Sequence, residues 1–220
     1  MRVFVINAYE DRKGKYDEEK YEIFPAIWWE DVTEEQVAEY HFRHNAKMDY
    51  RKKVVACSES HKQLLQKIID EDLKDVFIIE DDAIIEKWER LKELEGCKEF
   101  CYIGGQINAP LMKDFKKFED IKDSVRENFI KGINVIDPKQ FRLAHACGYF
   151  IPNKRVAQDI LSNIPTGKKY RVIDTEYIGL QKKGKITKFV YPAIVTLYIP
   201  DAKKGFTYST YKLYDDQWLY

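Results

Sequence analysis

Phe77-Ile78-Ile79-Glu80-Asp81-Asp82 joins an apolar run to three consecutive carboxylates. A run of this kind reads as a short buried strand, and ligands of open α/β sheets bind beyond the carboxyl ends of strands. Three carboxylates there repel one another unless a proton or a cation relieves them. Side chains two apart on an extended segment point the same way, so Glu80 and Asp82 converge while Asp81 points elsewhere. Hard oxygen ligands at that spacing suit Mg²⁺ or Mn²⁺ shared with a diphosphate. A solvated acidic turn has the same composition. A receiver-type signalling domain also clusters acids after a strand, but after its first strand, whereas this cluster begins at residue 80.

Other residues carry weaker signals. Ser60-His61-Lys62-Gln63 reads as a helix cap with glutamine at the third position, opening a helix with Leu64, Leu65, Ile68 and Ile69 on one face. His61 shares that face, where a buried histidine bonded to a backbone carbonyl is the ordinary outcome. At a helix start, Ser60 and His61 would instead offer donors to a diphosphate. Gly104-Gly105 ends the expected strand Phe100–Ile103, as a plain turn or as a place where backbone approaches a sugar. Asp174, delivered by Val172-Ile173, opens a short helix, as its cap or as a catalytic carboxylate. The cysteines Cys97 and Cys101 lack the further ligands of a zinc site.

These residues need a scaffold. The 220-residue chain is 45% hydrophobic, 34% charged and 14% aromatic, with a mean hydropathy of −0.53. That composition excludes disordered, collagen-like and membrane-spanning chains. Lys plus Arg and Asp plus Glu are equal at 37 each, so no global basic field calls for nucleic acid. Four cysteines are too few for a disulfide scaffold, and the N-terminus lacks the long apolar stretch of a secretory signal. The expected compartment is the cytoplasm. Arg2–Ile6 is expected as a first strand, followed by a polar loop from Asn7 to Glu22. Thr33 and Gln36 form a capping box for a helix with Val37, Tyr40, His41 and His44. Further strands are expected at Cys147–Ile151, Ile186–Val190 and Ala193–Ile199, with a helix after Asn153 stopped by Pro165. Residues 110–131, with Phe115, Phe118, Ile121, Val125 and Phe129 at three- and four-residue steps, read as an amphipathic helix or an inserted flap. Short strands alternating with helices argue for one α/β domain over residues 1–220, with a largely parallel sheet.

Ala56-Cys57-Ser58-Glu59-Ser60-His61, the helix behind it and Val76 to Ala83 together resemble glycosyltransferase family 25, the lipopolysaccharide and collagen galactosyltransferase relatives. Val5-Ile6-Asn7 with Arg12 is similar to that family's first strand and arginine-bearing loop. Ala146 to Ile151 is similar to its Gly-Tyr segment, and Val172-Ile173-Asp174 to its later aspartate element. Small virus-encoded transferases are similar too. Residues 106–145 and the tyrosine-rich tail (Tyr208, Tyr211, Tyr214, Trp218, Tyr220) match nothing in it. The resemblance implies a GT-A-type fold, in which a mostly parallel central sheet is flanked by helices. It further implies a UDP-sugar donor, a glycan or glycolipid acceptor, Mn²⁺ (or Mg²⁺) as cofactor and inversion at the anomeric carbon. On this footing Asp82 and Glu80 hold the metal, and Asp81 points away or contacts the ribose. Asn7, Arg12, Ser60, His61, Gly104 and Gly105 bind substrate. Asp174 is the base, with Glu176 as the fallback. The alternative is a non-catalytic nucleotide- or carbohydrate-binding module of the same fold.

Overall fold

The computed structural model describes residues 1–9, 13–42, 46–85, 87–108, 127–165, 167 and 171–197. Arg12, His44, most of the 110–131 segment and the tyrosine-rich tail therefore lie outside the described residues.

Strands β1 (Arg2–Asn7), β2 (Glu22–Pro25), β3 (Val76–Glu80), β5 (Cys101–Asn108), β6 (Gly132–Val135), β7 (Arg142–Ile151) and β8 (Lys188–Tyr191) form one sheet, ordered β2-β1-β3-β7-β5-β8-β6. β1 pairs in parallel with β2 and β3, and β5 with β8. β7 runs antiparallel to β3 and β5, and β6 antiparallel to β8. Five strands thus point one way and two oppose them, the mostly parallel α/β sheet expected. β4 (Ala83–Ile85) and β9 (Val195–Leu197) make a separate antiparallel ribbon. The helices are α1 (Glu34–Ala38), α2 (Met48–Asp70), α3 (Lys154–Asn163) and α4 (Ile173–Lys182), with short 3₁₀ turns at Trp29–Asp31 and Trp88–Leu94.

The central strands bury side chains on both faces, as their continuous apolar runs require. On one face Phe4, Ile78, Tyr102 and Tyr149 pack beneath Leu64, Leu65 and Ile68 of α2, Ile160 of α3 and Tyr177 of α4. On the other, Val5, Phe77, Ile79 and Phe150 meet Tyr16, Tyr21, Leu91, Leu94 and Val195.

Local signals explain several boundaries. Thr33 and Gln36 form the expected capping box, each side chain bonding the other's backbone. The helix they open ends at Ala38, so Tyr40 and His41 are not on it. Asn153 caps α3 by accepting from the Val156 N–H at 3.2 Å. β2 lies partly inside the stretch expected as loop, held beside β1 by backbone pairing and the part-exposed Arg2–Glu22 ion pair.

Two expectations are corrected. The helix expected to start at Ser60 begins twelve residues earlier, at Met48, and Ser60 lies fully buried in its middle. Its hydroxyl donates to the Ala56 carbonyl at 2.7 Å and accepts from the Ile27 N–H at 2.8 Å, the mid-helix alternative to capping. Ser-x-x-Gln imitates a cap at this position. β5 does not stop at Gly104-Gly105 but runs through both to Asn108.

Gly104 and Gly148 sit side by side under Val195. A Cβ on Gly104 would lie 2.7 Å from the Val195 Cβ, and one on Gly148 2.9 Å from it. The close approach at Gly104 is thus made by this protein's own β9. Gly105 takes φ +126° beside a register shift in the β5–β7 pairing, a conformation that requires glycine. Gly104→Ala should lower stability by about 1–3 kcal/mol through overpacking. Gly14→Ala, where a new Cβ meets nothing within 4 Å, should change it little. Thermal unfolding of the two variants checks the difference.

Candidate functional site

The carboxyl ends of β1, β2 and β3 lie at the same edge of the sheet, with Ile6 opposite both Phe24 and Glu80. Two hollows that share Ala8, Tyr9 and Trp28 in their walls open there. A cleft of about 220 Å³ is lined by Ala8, Trp28, Lys53, Cys57, Glu80 and Asp82, among others. A wider one of about 530 Å³ is bounded by Asn7, Tyr9, Lys13, Ile23 and Trp28. Tyr9 and Trp28 meet edge to face, their centroids 5.5 Å apart.

The three acids at the end of β3 have different neighbours, as alternation along an extended chain dictates. Glu80 faces α2, where its Oε1 lies 3.2 Å from His61 Nε2 and 3.7 Å from Cys57 Sγ. Asp81 is buried and turned to the end of β1. Its Oδ2 accepts from the Ala8 and Tyr9 N–H groups at 2.8 and 3.2 Å, and its carbonyl accepts from Lys15 Nζ. Those bonds make Asp81 the clamp that shapes the β1 loop. Asp82 lines the cleft beside Glu80.

His61 is fully buried at the back of this cleft, not at a helix start. Its Nδ1 lies 2.7 Å from the Tyr149 hydroxyl. A carboxylate only accepts, so the proton of a neutral ring belongs on Nε2 toward Glu80, and Tyr149 then donates to Nδ1. The ring's partners are a carboxylate and a phenol, not the backbone carbonyl expected of a structural histidine. His61 positions Glu80, and the expectation that Ser60 and His61 meet a diphosphate at a helix N-terminus is corrected.

Asp174 lies in the first turn of α4 but does not cap it. Val172 holds the cap position, the Ile173 N–H donates to Ser58 Oγ at 3.1 Å, and the Arg171 N–H donates to Glu176 Oε1 at 2.9 Å. Glu176, buried and committed to that backbone group, is occupied in structure. The Ser58 bond pins the start of α4 against α2 one residue from Cys57. Desolvation pushes the Cys57 and Cys147 thiols well up, and the charges of Glu80, Asp82 and Asp174 add to it in both. Cys57 as a residue still touches solvent. Three carboxylates from two elements act on the same two thiols, which makes them one acidic cluster.

Asn7 donates to the Tyr9 carbonyl at 3.0 Å, and its own carbonyl accepts from the Ala26 N–H at 2.9 Å. Its buried Oδ1 has no hydrogen-bond partner among the described residues.

A scan against protein families matches residues 6–173 to the model described as Glycosyltransferase family 25 (LPS biosynthesis protein). That span is more than half of the chain and includes every acid of the cluster except Asp174, one residue beyond it. The chain belongs to glycosyltransferase family 25. No curated protein matches it. A glycosyltransferase takes a donor and an acceptor, and the hollows at the sheet edge lie where α/β folds bind ligands. No described helix is long and apolar enough to cross a membrane.

Glu80 and Asp82 offer hard carboxylate oxygens from one wall of the cleft, a donor set that fits Mg²⁺ or Mn²⁺. Cys57, His61 and Glu80 also bring ligand atoms within 4.8 Å of one another. Both His61 ring nitrogens in that group already have partners, Tyr149 and Glu80. Sequence reasoning missed Tyr9, Trp28 and Lys53, which lack any local motif. Lys53 lies over the Trp29 ring at 5.0 Å, and only the length of α2 brings it to the cleft.

Two outcomes test this arrangement. Tyr149→Phe leaves His61 Nδ1 buried without its partner and should cost about 1–3 kcal/mol in urea unfolding. Unchanged stability would mean that the hydroxyl does not hold the ring. The Cys101 thiol, bonding to the Cys97 sulfur, lowers the Cys97 pKa to about 6 against its partial burial. Peptide mapping of iodoacetamide adducts should show Cys97 modified readily at pH 7 and progressively less as pH falls through about 6. Cys57, with its thiol held up, should react slowly at pH 7.

Proposed function

We propose that this glycosyltransferase moves a hexose from a UDP-sugar to a hydroxyl of a glycan or glycolipid, with inversion at the anomeric carbon. The observation that carries the reading is the pair of carboxylates, Glu80 and Asp82, in the cleft beside Cys57, with Asp174 at the start of α4 near enough to act on the same thiol. The hollow between Tyr9, Trp28 and Ile23 suits the nucleoside, since it pairs aromatic walls with the polar Asn7 side chain. Lys53 and Lys13 line the two hollows and suit the diphosphate.

Glu80 and Asp82 would hold the divalent cation, with His61 fixing the Glu80 rotamer. A cation bound there offsets the negative charge that develops on the departing diphosphate. In the transfer, the acceptor oxygen bonds to the anomeric carbon as the carbon–oxygen bond to the β-phosphate breaks, and that electron pair leaves with UDP. Asp174 takes the proton lost by the acceptor hydroxyl, since Glu80 and Asp82 are assigned to the leaving-group side and Glu176 is engaged by backbone. Four free cysteines support a reducing compartment such as the cytoplasm.

Calorimetry should find UDP bound far more tightly with Mn²⁺ than with a chelator. At a hundredfold excess over the dissociation constant, bound ligand should add about 2.7 kcal/mol of stability. Asp82→Asn should abolish that metal dependence. Asp174→Asn should keep it while losing about 10²–10⁴-fold in turnover, the usual contribution of general-base catalysis. Equal UDP affinity with and without metal would remove the acidic cluster from donor binding, and an α-linked product from an α-linked donor would end the inverting assignment.

A further inference from the structure

A third hollow, of about 200 Å³, opens at the α4 N-terminus, between it and the first turns of α2. Phe42, Tyr50 and Val172 give it apolar walls, His41 and Thr175 give it hydrogen-bonding groups, and Arg171 supplies the only permanent charge among its described lining residues. Tyr50 is 61% exposed, so an aromatic ring stands in water at its rim. The Arg171 backbone is anchored by Glu176, and among the described residues its guanidinium takes part in no ion pair. Among the described residues no carboxylate lines the hollow.

The hollow is continuous in chain geometry with the acidic cleft. Tyr50 and Cys57 are seven residues apart on α2 and so share one helical face, with Lys53 between them, about 10 Å apart along the axis at ~1.5 Å per residue. Thr175, which lines the hollow, follows Asp174 directly in the first turn of α4. The volume is below the roughly 300–1,000 Å³ of sites for drug-sized ligands. It suits a single ring rather than a nucleotide. An aromatic wall takes the C–H face of a pyranose, and a guanidinium in no ion pair among the described residues takes an anion through a charge-assisted pair.

From these features we infer that the hollow between α2 and α4 is an acceptor subsite for an acidic sugar, a pyranose bearing a carboxylate or a phosphate. It lies one or two sugars back from the hydroxyl that Asp174 deprotonates, at a distance that a di- or trisaccharide spans. Its role as acceptor subsite rests on the transfer proposed above. Its identity as an acidic-sugar site does not.

Binding can therefore be read without turnover. The probes are methyl β-D-glucuronide, glucose 6-phosphate and the neutral methyl β-D-glucoside, followed by saturation-transfer NMR and calorimetry on the full chain. At least one acidic sugar should bind about tenfold or more tightly than the glucoside, the scale of one charge-assisted hydrogen bond, and the gap should narrow in high salt. Which of the two binds distinguishes carboxylate from phosphate. Arg171→Gln should erase the preference, Arg171→Lys should keep part of it, and Tyr50→Ala should weaken acidic and neutral sugars alike. Failure of both acidic sugars to bind, equal binding of acidic and neutral sugars, or a preference that survives Arg171→Gln would each overturn the assignment. Binding that obeys these rules in a protein that turns over no nucleotide-sugar would uphold the acidic-sugar site and end its role as acceptor subsite. Nucleotide-sugar turnover without such binding would do the reverse.

Discussion

Three adjacent carboxylates at the end of one strand are an electrostatic liability, and much of the surrounding structure manages it. Each acid is given to a different neighbour. Glu80 is held from α2 by His61, itself steadied by Tyr149 on β7. Asp81 is turned toward β1, where two backbone N–H groups receive it. Asp82 lines the cleft. Separating the acids in this way lets β3 end where it does and leaves carboxylate at the opening.

The same constraint explains the order of the sheet. β3 lies between β1 and β7, so one strand end reaches the β1 loop on one side and the Cys147–Gly148 region on the other. β7 runs antiparallel to β3, which carries Tyr149 beneath α2 and places Gly148 opposite Ile79. The space left by Gly104 and Gly148 is filled by Val195, which brings β9 and its partner β4 against the sheet just beyond the acids. Glycines in this part of the molecule make room for the protein itself.

The long helix α2 is the second organising element. Its 23 residues carry, on successive turns, the aromatic rim of the hollow near α4, Lys53 and Cys57 at the acidic cleft, and His61 behind Glu80. The hydroxyl of Ser58 reaches across to the start of α4 and that of Ser60 to the loop after β2. Small buried hydroxyls inside a helix thus join the two halves of the site, each satisfying an N–H that would otherwise be buried without a partner.

Much of this was legible in the sequence wherever the signal is local. An apolar run before Glu80 makes a strand, Thr33 with Gln36 makes a cap, Asn153 starts a helix, and the order of motifs from Val5 to Ile173 carries the family. Local signals misled where the same short pattern serves two purposes. Ser60-x-x-Gln63 matches a cap but sits mid-helix, and Gly104-Gly105 matches a turn but continues a strand, because a neighbouring hydroxyl acceptor and a neighbouring valine decide each case. The residue types that can do chemistry were set by sequence alone, and so was their alternation along β3. Tertiary structure alone decided their partners: His61 with Glu80, Asp81 with the β1 loop, Asp174 with the acids of another element, Arg171 with Tyr50. Those pairings join residues 19 to 121 positions apart, and no periodicity within one segment encodes a contact that forms only when two segments pack together.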